Sequence, residues 1–152
     1  MKNILVAIAR PENAVKLIEQ AVKLAKLSDG KIWILHVTEP DPDDFLAREA
    51  GPQNWFDKRK EERKKEAASI DQWTKEIINT HNIQAEGLLI EGSLVKTIKA
   101  KVEENNIDLI VAGHQKKNFL YEMFSTNKKK DLIDELRIPL LAVPVGEKEL
   151  NS

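Results

Sequence analysis

The chain has 152 residues, 41% of them hydrophobic and 32% charged, a balance that suits a globular domain with a well-solvated surface. Its formal net charge of −1 supplies no general attraction to nucleic acid or to an anionic membrane. The absence of cysteine excludes disulfides, thiolate metal sites and cysteine catalysis together. A chain of this length buries about two-thirds of the surface its unfolded form exposes, enough for one core without staples.

Read in chain order, strands and helices alternate. Ile4-Leu5-Val6-Ala7-Ile8 is a continuous apolar run, as in a parallel strand covered on both faces, and too short for a signal sequence or a membrane span. Pro11 suits a first helical turn, and Ala14, Leu17, Ile18, Ala21, Leu24 and Ala25 then recur at helical spacing. Asp29-Gly30 ends that helix, with glycine read as the left-handed cap. Ile32-Trp33-Ile34-Leu35-His36-Val37 is the second strand.

Residues 38–56 have no period and carry Pro40, Pro42, Gly51 and Pro52 among several acids, which reads as a long variable loop. A helix is expected from Asp57 to about Thr80. Its first half, Lys58 to Glu66, is charged all round and reads as a solvated helix extending past the core; its second half buries Ala67, Ile70, Trp73, Ile77 and Ile78. Residues 83–90 form a third strand, Gly92-Ser93 opens a third helix to about Glu104, and Asp108-Leu109-Ile110-Val111-Ala112 is the fourth strand. A fourth helix ending at Leu136 and a last strand at 138–145 complete the order. Four right-handed crossovers give a three-layer α/β fold: a doubly wound, five-stranded parallel sheet with four main helices. One domain is expected over residues 1–146, followed by a polar tail at 147–152.

In such a sheet a ligand sits outside the carboxyl ends of the strands, at the point where the winding reverses. With the first and fourth strands flanking that point, the candidate residues are Ala9, Arg10, Gly113 and His114, with Val37 and Thr38 alongside. A glycine at a strand end allows a tight turn and close backbone approach to a ligand.

The ordered set Ile4 to Ile8, Leu35-His36-Val37, Glu91-Gly92-Ser93, Asp108 to His114 and Ile138-Pro139-Leu140-Leu141-Ala142-Val143-Pro144-Val145 resembles the universal stress protein family over about residues 2–146. The resemblance implies a Rossmann-like sheet of the adenine nucleotide alpha hydrolase-like type. It also implies a division by ATP binding. ATP-binding members carry Gly-x2-Gly-x9-Gly-Ser/Thr after the fourth strand, whose backbone amides surround the phosphates, and an aspartate after the first strand. Here Gly113 matches the first glycine; the remaining positions are Lys116, Thr126 and Asn127, and Ala9 or Arg10 stands at the aspartate. The segment Gly113-His114-Gln115-Lys116-Lys117-Asn118-Phe119 is closer to the universal stress protein A-like subgroup, which does not bind ATP. The resemblance further implies a homodimer paired through the last strand, at Leu140, Leu141, Ala142 and Val143, with Pro139 and Pro144 limiting uncontrolled pairing.

Against this stands a second reading. Lys116, Lys117, Lys128, Lys129 and Lys130 supply positive charge, and Asn127 as an N-cap places three lysines in a first helical turn, where they oppose the helix dipole unless an anion is bound. Arg10, Gly113, Lys116, Thr126 and Asn127 then line a degenerate nucleotide or anion site. Catalysis finds no support. Gly92-Ser93-Leu94-Val95-Lys96-Thr97 lacks the second glycine of a P-loop, and Ser93 is better read as a helix N-cap. His36, His81 and His114 have no metal-ligand spacing; His36 reads as a hydrogen-bonded core residue. Trp33 and Trp73 fall in core patterns, Trp55 at the loop edge, so no base-stacking platform forms. The expectation is a non-enzymatic, cytoplasmic, homodimeric stress-response module with weak or no ATP binding, no cofactor and no metal. Its further partner is an unidentified protein, with neither nucleic acid nor membrane involved.

Overall fold

A computed structural model of the protein describes residues 2–38, 52–114 and 135–145. The elements are β1 (Asn3–Ile8), a 3-10 turn (Pro11–Asn13), α1 (Ala14–Ser28), β2 (Lys31–Thr38), α2 (Pro52–His81), β3 (Ala85–Glu91), α3 (Leu94–Glu104), β4 (Leu109–His114) and β5 (Leu140–Pro144). All strand pairs are parallel and the order is β3-β2-β1-β4-β5. β1 therefore lies at the centre, as its unbroken apolar run requires: Ile4, Leu5, Val6 and Ala7 are fully buried.

Alternate residues of each strand feed two cores. Ile4, Val6, Ile8, Ile32, Ile34, Leu109 and Val111 meet α1 and Ile77 of α2 on one face. Leu5, Ala7, Leu35, Ile110 and Ala112 meet Leu94 and Ile98 of α3 on the other. Three layers result, as the alternation of elements implied. Three α-helices of full length lie among the described residues. Of the expected fourth, Glu135 and Leu136 are helical and Leu136 packs on the second core; the rest falls outside the described residues, as do most of the linker after β4 and the tail.

The helices end by a shared device. Asp29, Asn82 and Asn106 adopt positive φ just past α1, α2 and α3. Behind them Gly30 donates its N–H to the Ala25 carbonyl (3.1 Å), Ile83 to Ile77 (3.5 Å) and Ile107 to Val102 (3.1 Å). The left-handed residue after α1 is thus Asp29 rather than Gly30; aspartate tolerates that region because its short polar side chain bonds locally. Ile83 closes α2 and so cannot open β3, which starts at Ala85 rather than 83. β4 runs on to His114, and β5 is shorter than the 138–145 expected. At the same edge, the Asp108 carboxylate accepts the Lys2 and Asn3 N–H groups, both at 2.9 Å, and fixes the start of β1 against β4.

The largest correction concerns residues 38–56. α2 begins at Pro52, not Asp57, and proline is well suited to a first helical turn. Residues 39–51 of that loop lie outside the described residues. α2 approaches β3 very closely at Gly87, where a Cβ would stand 2.3 Å from Ile70 Cγ2 and 2.8 Å from Thr74 Oγ1.

Candidate functional site at the carboxyl edge of the sheet

Because β1 is hydrogen-bonded to both β2 and β4, the winding reverses between β1 and β4. The structure brings together at this edge the backbones of Ala9 and Arg10 after β1, Val37 and Thr38 at the end of β2, and Gly113 and His114 at the end of β4. Lys116, Thr126 and Asn127, and the other candidate lysines 117 and 128–130, lie outside the described residues.

The side chains divide the edge. Arg10 has an extended backbone (φ −125°, ψ 121°), is exposed, and makes no ion pair among the described residues. Ala9 and Val37 pack against the α3 core. Gly113 has a packing reason for its small size: a Cβ there would lie 3.1 Å from Val145 Cγ2. Its smallness serves the fit of β4 to residue 145, whatever else approaches it.

The α2 side of the edge holds a polar network. His36 is buried, and its Nδ1 lies 2.8 Å from the carbonyl oxygen of Ile8, the last residue of β1. A carbonyl only accepts, so Nδ1 carries a hydrogen. Its Nε2 lies 3.6 Å from Glu66 Oε2 on α2, while Thr38 Oγ1 donates to Glu66 Oε1 at 3.1 Å. His36 is therefore the hydrogen-bonded core residue expected. One turn and two turns earlier on α2, Arg63 and Arg59 both bind Glu91 at the end of β3, Arg59 at 3.0 Å. Arg59 also reaches Glu62 at 3.3 Å.

Residues 58–66 are the largely solvated helix expected, exposed at every position but Arg59 and Glu66, and this network adds inward polar ties to it. The segment does extend past the core, but Arg59, Arg63 and Glu66 form an inward stripe that continues the line of Ile70, Trp73, Thr74 and Ile77 at intervals of three and four. That spacing was visible in the sequence; charge alone concealed it. Ser93, by contrast, is the N-cap expected: its Oγ accepts the Lys96 N–H at 3.4 Å. Among the described residues no group of three or more His, Cys, Asp or Glu is placed to hold a metal. No helix among them is long and apolar enough to cross a membrane.

Among the described residues, two grooves lie elsewhere. One, of about 610 Å³, lies where α1 and α2 end, lined by Lys26, Asp29, His81 and Gln84; the other, about 240 Å³, lies between α2 and β3. The first is at the opposite edge of the sheet from the candidate site.

A parallel sheet that reverses at β1/β4 defines a doubly wound α/β protein with its candidate site at the carboxyl edge. Within that class, the family model of the universal stress proteins matches residues 1–144, and the chain belongs to that family. A curated relative, the universal stress protein A homolog of Haemophilus influenzae, is 26% identical over 147 residues, covering 96% of this chain and 98% of the relative. Among solved structures, universal stress protein UspA from Lactobacillus plantarum matches with a TM-score of 0.68 at 18% identity, covering 93% of this chain and 97% of that one. The universal stress protein from Archaeoglobus fulgidus in complex with dAMP matches with a TM-score of 0.60 at 15% identity, covering 94% and 98%. These structures share the fold.

Proposed function

We propose that this chain is a non-enzymatic, cytoplasmic universal stress protein of the A-like subgroup. In this reading it works as a homodimeric stress-response and interaction module with weak or no ATP binding and no cofactor, and its downstream partner is another protein. The observation that carries the reading is the residue pair after β1. Ala9 and Arg10 stand where the ATP-binding pattern of the family has an aspartate, and neither accepts a hydrogen bond from a nucleoside with its side chain. The neighbouring polar groups support it: His36 and Thr38 are already bonded within the chain.

A second reading has its own observation. The Arg10 guanidinium is exposed at the point of reversal with no ion pair among the described residues, and a protein of the same fold is described in complex with dAMP. A degenerate nucleotide or anion sensor built on Arg10, Gly113, Lys116, Thr126 and Asn127 follows from it.

Thermal unfolding with ATP, ADP, AMP and inorganic phosphate, each near millimolar and with and without magnesium, separates the two. A ligand at a hundredfold excess over its dissociation constant stabilises the native state by about 2.7 kcal/mol, enough to move the midpoint by several degrees. No shift with any of the four is expected. A shift with ATP alone overturns the first reading. Equal shifts with all four, phosphate included, establish the second.

A further inference from the structure

α2 is much longer than the strand it serves. Its 30 residues span roughly 45 Å at 1.5 Å per residue, whereas the seven residues of β3 span roughly 23 Å. With His81 at the start of the sheet, Glu66 falls level with the ends of β2 and β3, and the turns before it overhang the carboxyl edge. The way α2 is held changes at the same place. From Ile70 to His81 the inward side chains are Ile70, Trp73, Thr74 and Ile77; Ile70 and Ile77 are buried and Trp73 packs against the core. Among the described residues, the inward ties of 58–66 include Arg59 and Arg63 to Glu91, and Glu66 to Thr38 and His36, all of them ionic or polar. No apolar side chain between 58 and 69 is buried.

We propose that residues 58–66 of α2 form a salt-sensitive strap, docked on the carboxyl edge of β2 and β3 at low ionic strength and released at high ionic strength. Apolar packing holds the second half of the helix at any salt concentration, but charge pairs at a surface are screened as salt rises; Arg63 and Glu91 are 47% and 41% exposed, while Arg59, at 16%, is the less screened arm. Once undocked, residues 58–66 lose the contacts that support their helical turns, and those turns open more readily. Release uncovers Glu91 and Thr38 and frees the Glu66 carboxylate from His36. Since His36 holds the carbonyl of Ile8, the residue before Ala9 and Arg10, the state of the strap is felt at the candidate site. The inference does not depend on whether that site takes a nucleotide.

The test is amide hydrogen exchange by mass spectrometry on the full chain, in 50 mM and in 1 M potassium chloride, with sucrose of matched osmolality as the uncharged control. In high salt, peptides covering 58–66 lose protection about threefold to tenfold, while those covering 70–81 keep theirs. Sucrose, an excluded osmolyte that favours burial, lowers the protection of neither. Glu91→Gln, which removes the shared partner of Arg59 and Arg63, exchanges at low salt as the unmodified chain does at high salt. Three results each overturn the strap: equal exchange of 58–66 at both salt concentrations, a parallel loss over 70–81, or Glu91→Gln indistinguishable from the unmodified chain.

Discussion

Gly87 sits in β3 with its missing Cβ facing α2, and the backbone of the helix lies close because nothing stands between. Alanine there places a methyl group 2.3 Å from Ile70 Cγ2 and 2.8 Å from Thr74 Oγ1. Thr74 is not free to turn away at no cost, since its hydroxyl donates to the Ile70 carbonyl at 2.7 Å. Gly87→Ala is expected to destabilise the protein by about 1–3 kcal/mol through overpacking, and to lower the thermal midpoint by several degrees. A midpoint equal to that of the unmodified chain would show that α2 moves aside freely. Individual residues were legible where the chemistry admits one solution. His36, a polar group in an apolar strand, had to be bonded, and it is. Asp29 and Gly30 are adjacent and both accept a left-handed conformation, so the sequence did not distinguish them; Asp29 takes it. Gly113 was read for its freedom to approach a ligand, whereas the fold gives the missing side chain a neighbour in Val145. The identity of that neighbour depends on the pairing of β5 with β4, which no local pattern records.

At the scale of the element, the strands were readable because burial on both faces leaves a continuous apolar run. α1 and α3 were readable because burial on one face leaves a helical period. α2 shows where that logic stops. Its inner stripe switches from apolar to charged without changing its spacing, and a search for apolar residues loses it at Ile70. The start of α3 offers a direct test of a local signal. Ser93 has the extended backbone of an N-cap (φ −75°, ψ 127°), and its hydroxyl accepts the Lys96 N–H. The bond is long at 3.4 Å and the site is exposed, so Ser93→Ala is expected to cost at the lower end of the range for caps, about 0.5–1 kcal/mol. Ser93→Asp should recover or exceed the original stability, because its charge also suits the positive end of the helix. Urea unfolding of the three proteins measures both steps, and equal stability of the alanine and serine forms would remove the cap from the account.

At the scale of the molecule, the sheet leaves one edge at β5, and the ladder defines which groups it presents. Ile110 pairs with Leu140 and donates its N–H to the Pro139 carbonyl at 3.1 Å. In a parallel ladder Ile110 is then flanked by 139 and 141, so the backbone groups of Leu140, Ala142 and Pro144 point away from β4. Pro144 has no N–H to offer on that side, which confines pairing to the residues before it. Leu141 and Val143, part of the surface that the family resemblance marks for dimerisation, turn their side chains into the α1 core, and Val143 is buried. Lysine at those positions would damage the fold as well as any interface and would not separate the two. Ala142 is exposed, and its N–H faces outward. Ala142→Pro deletes that donor while leaving the bonds to β4 in place. If two chains pair through β5, light scattering after size exclusion gives twice the chain mass for the unmodified protein and a single chain mass for Ala142→Pro, with far-ultraviolet circular dichroism unchanged. An unmodified protein of single chain mass would dismiss pairing altogether. A proline variant that is folded and still dimeric would move the interface to another face, since an edge strand stripped of its central donor cannot sustain a continuous sheet across two copies.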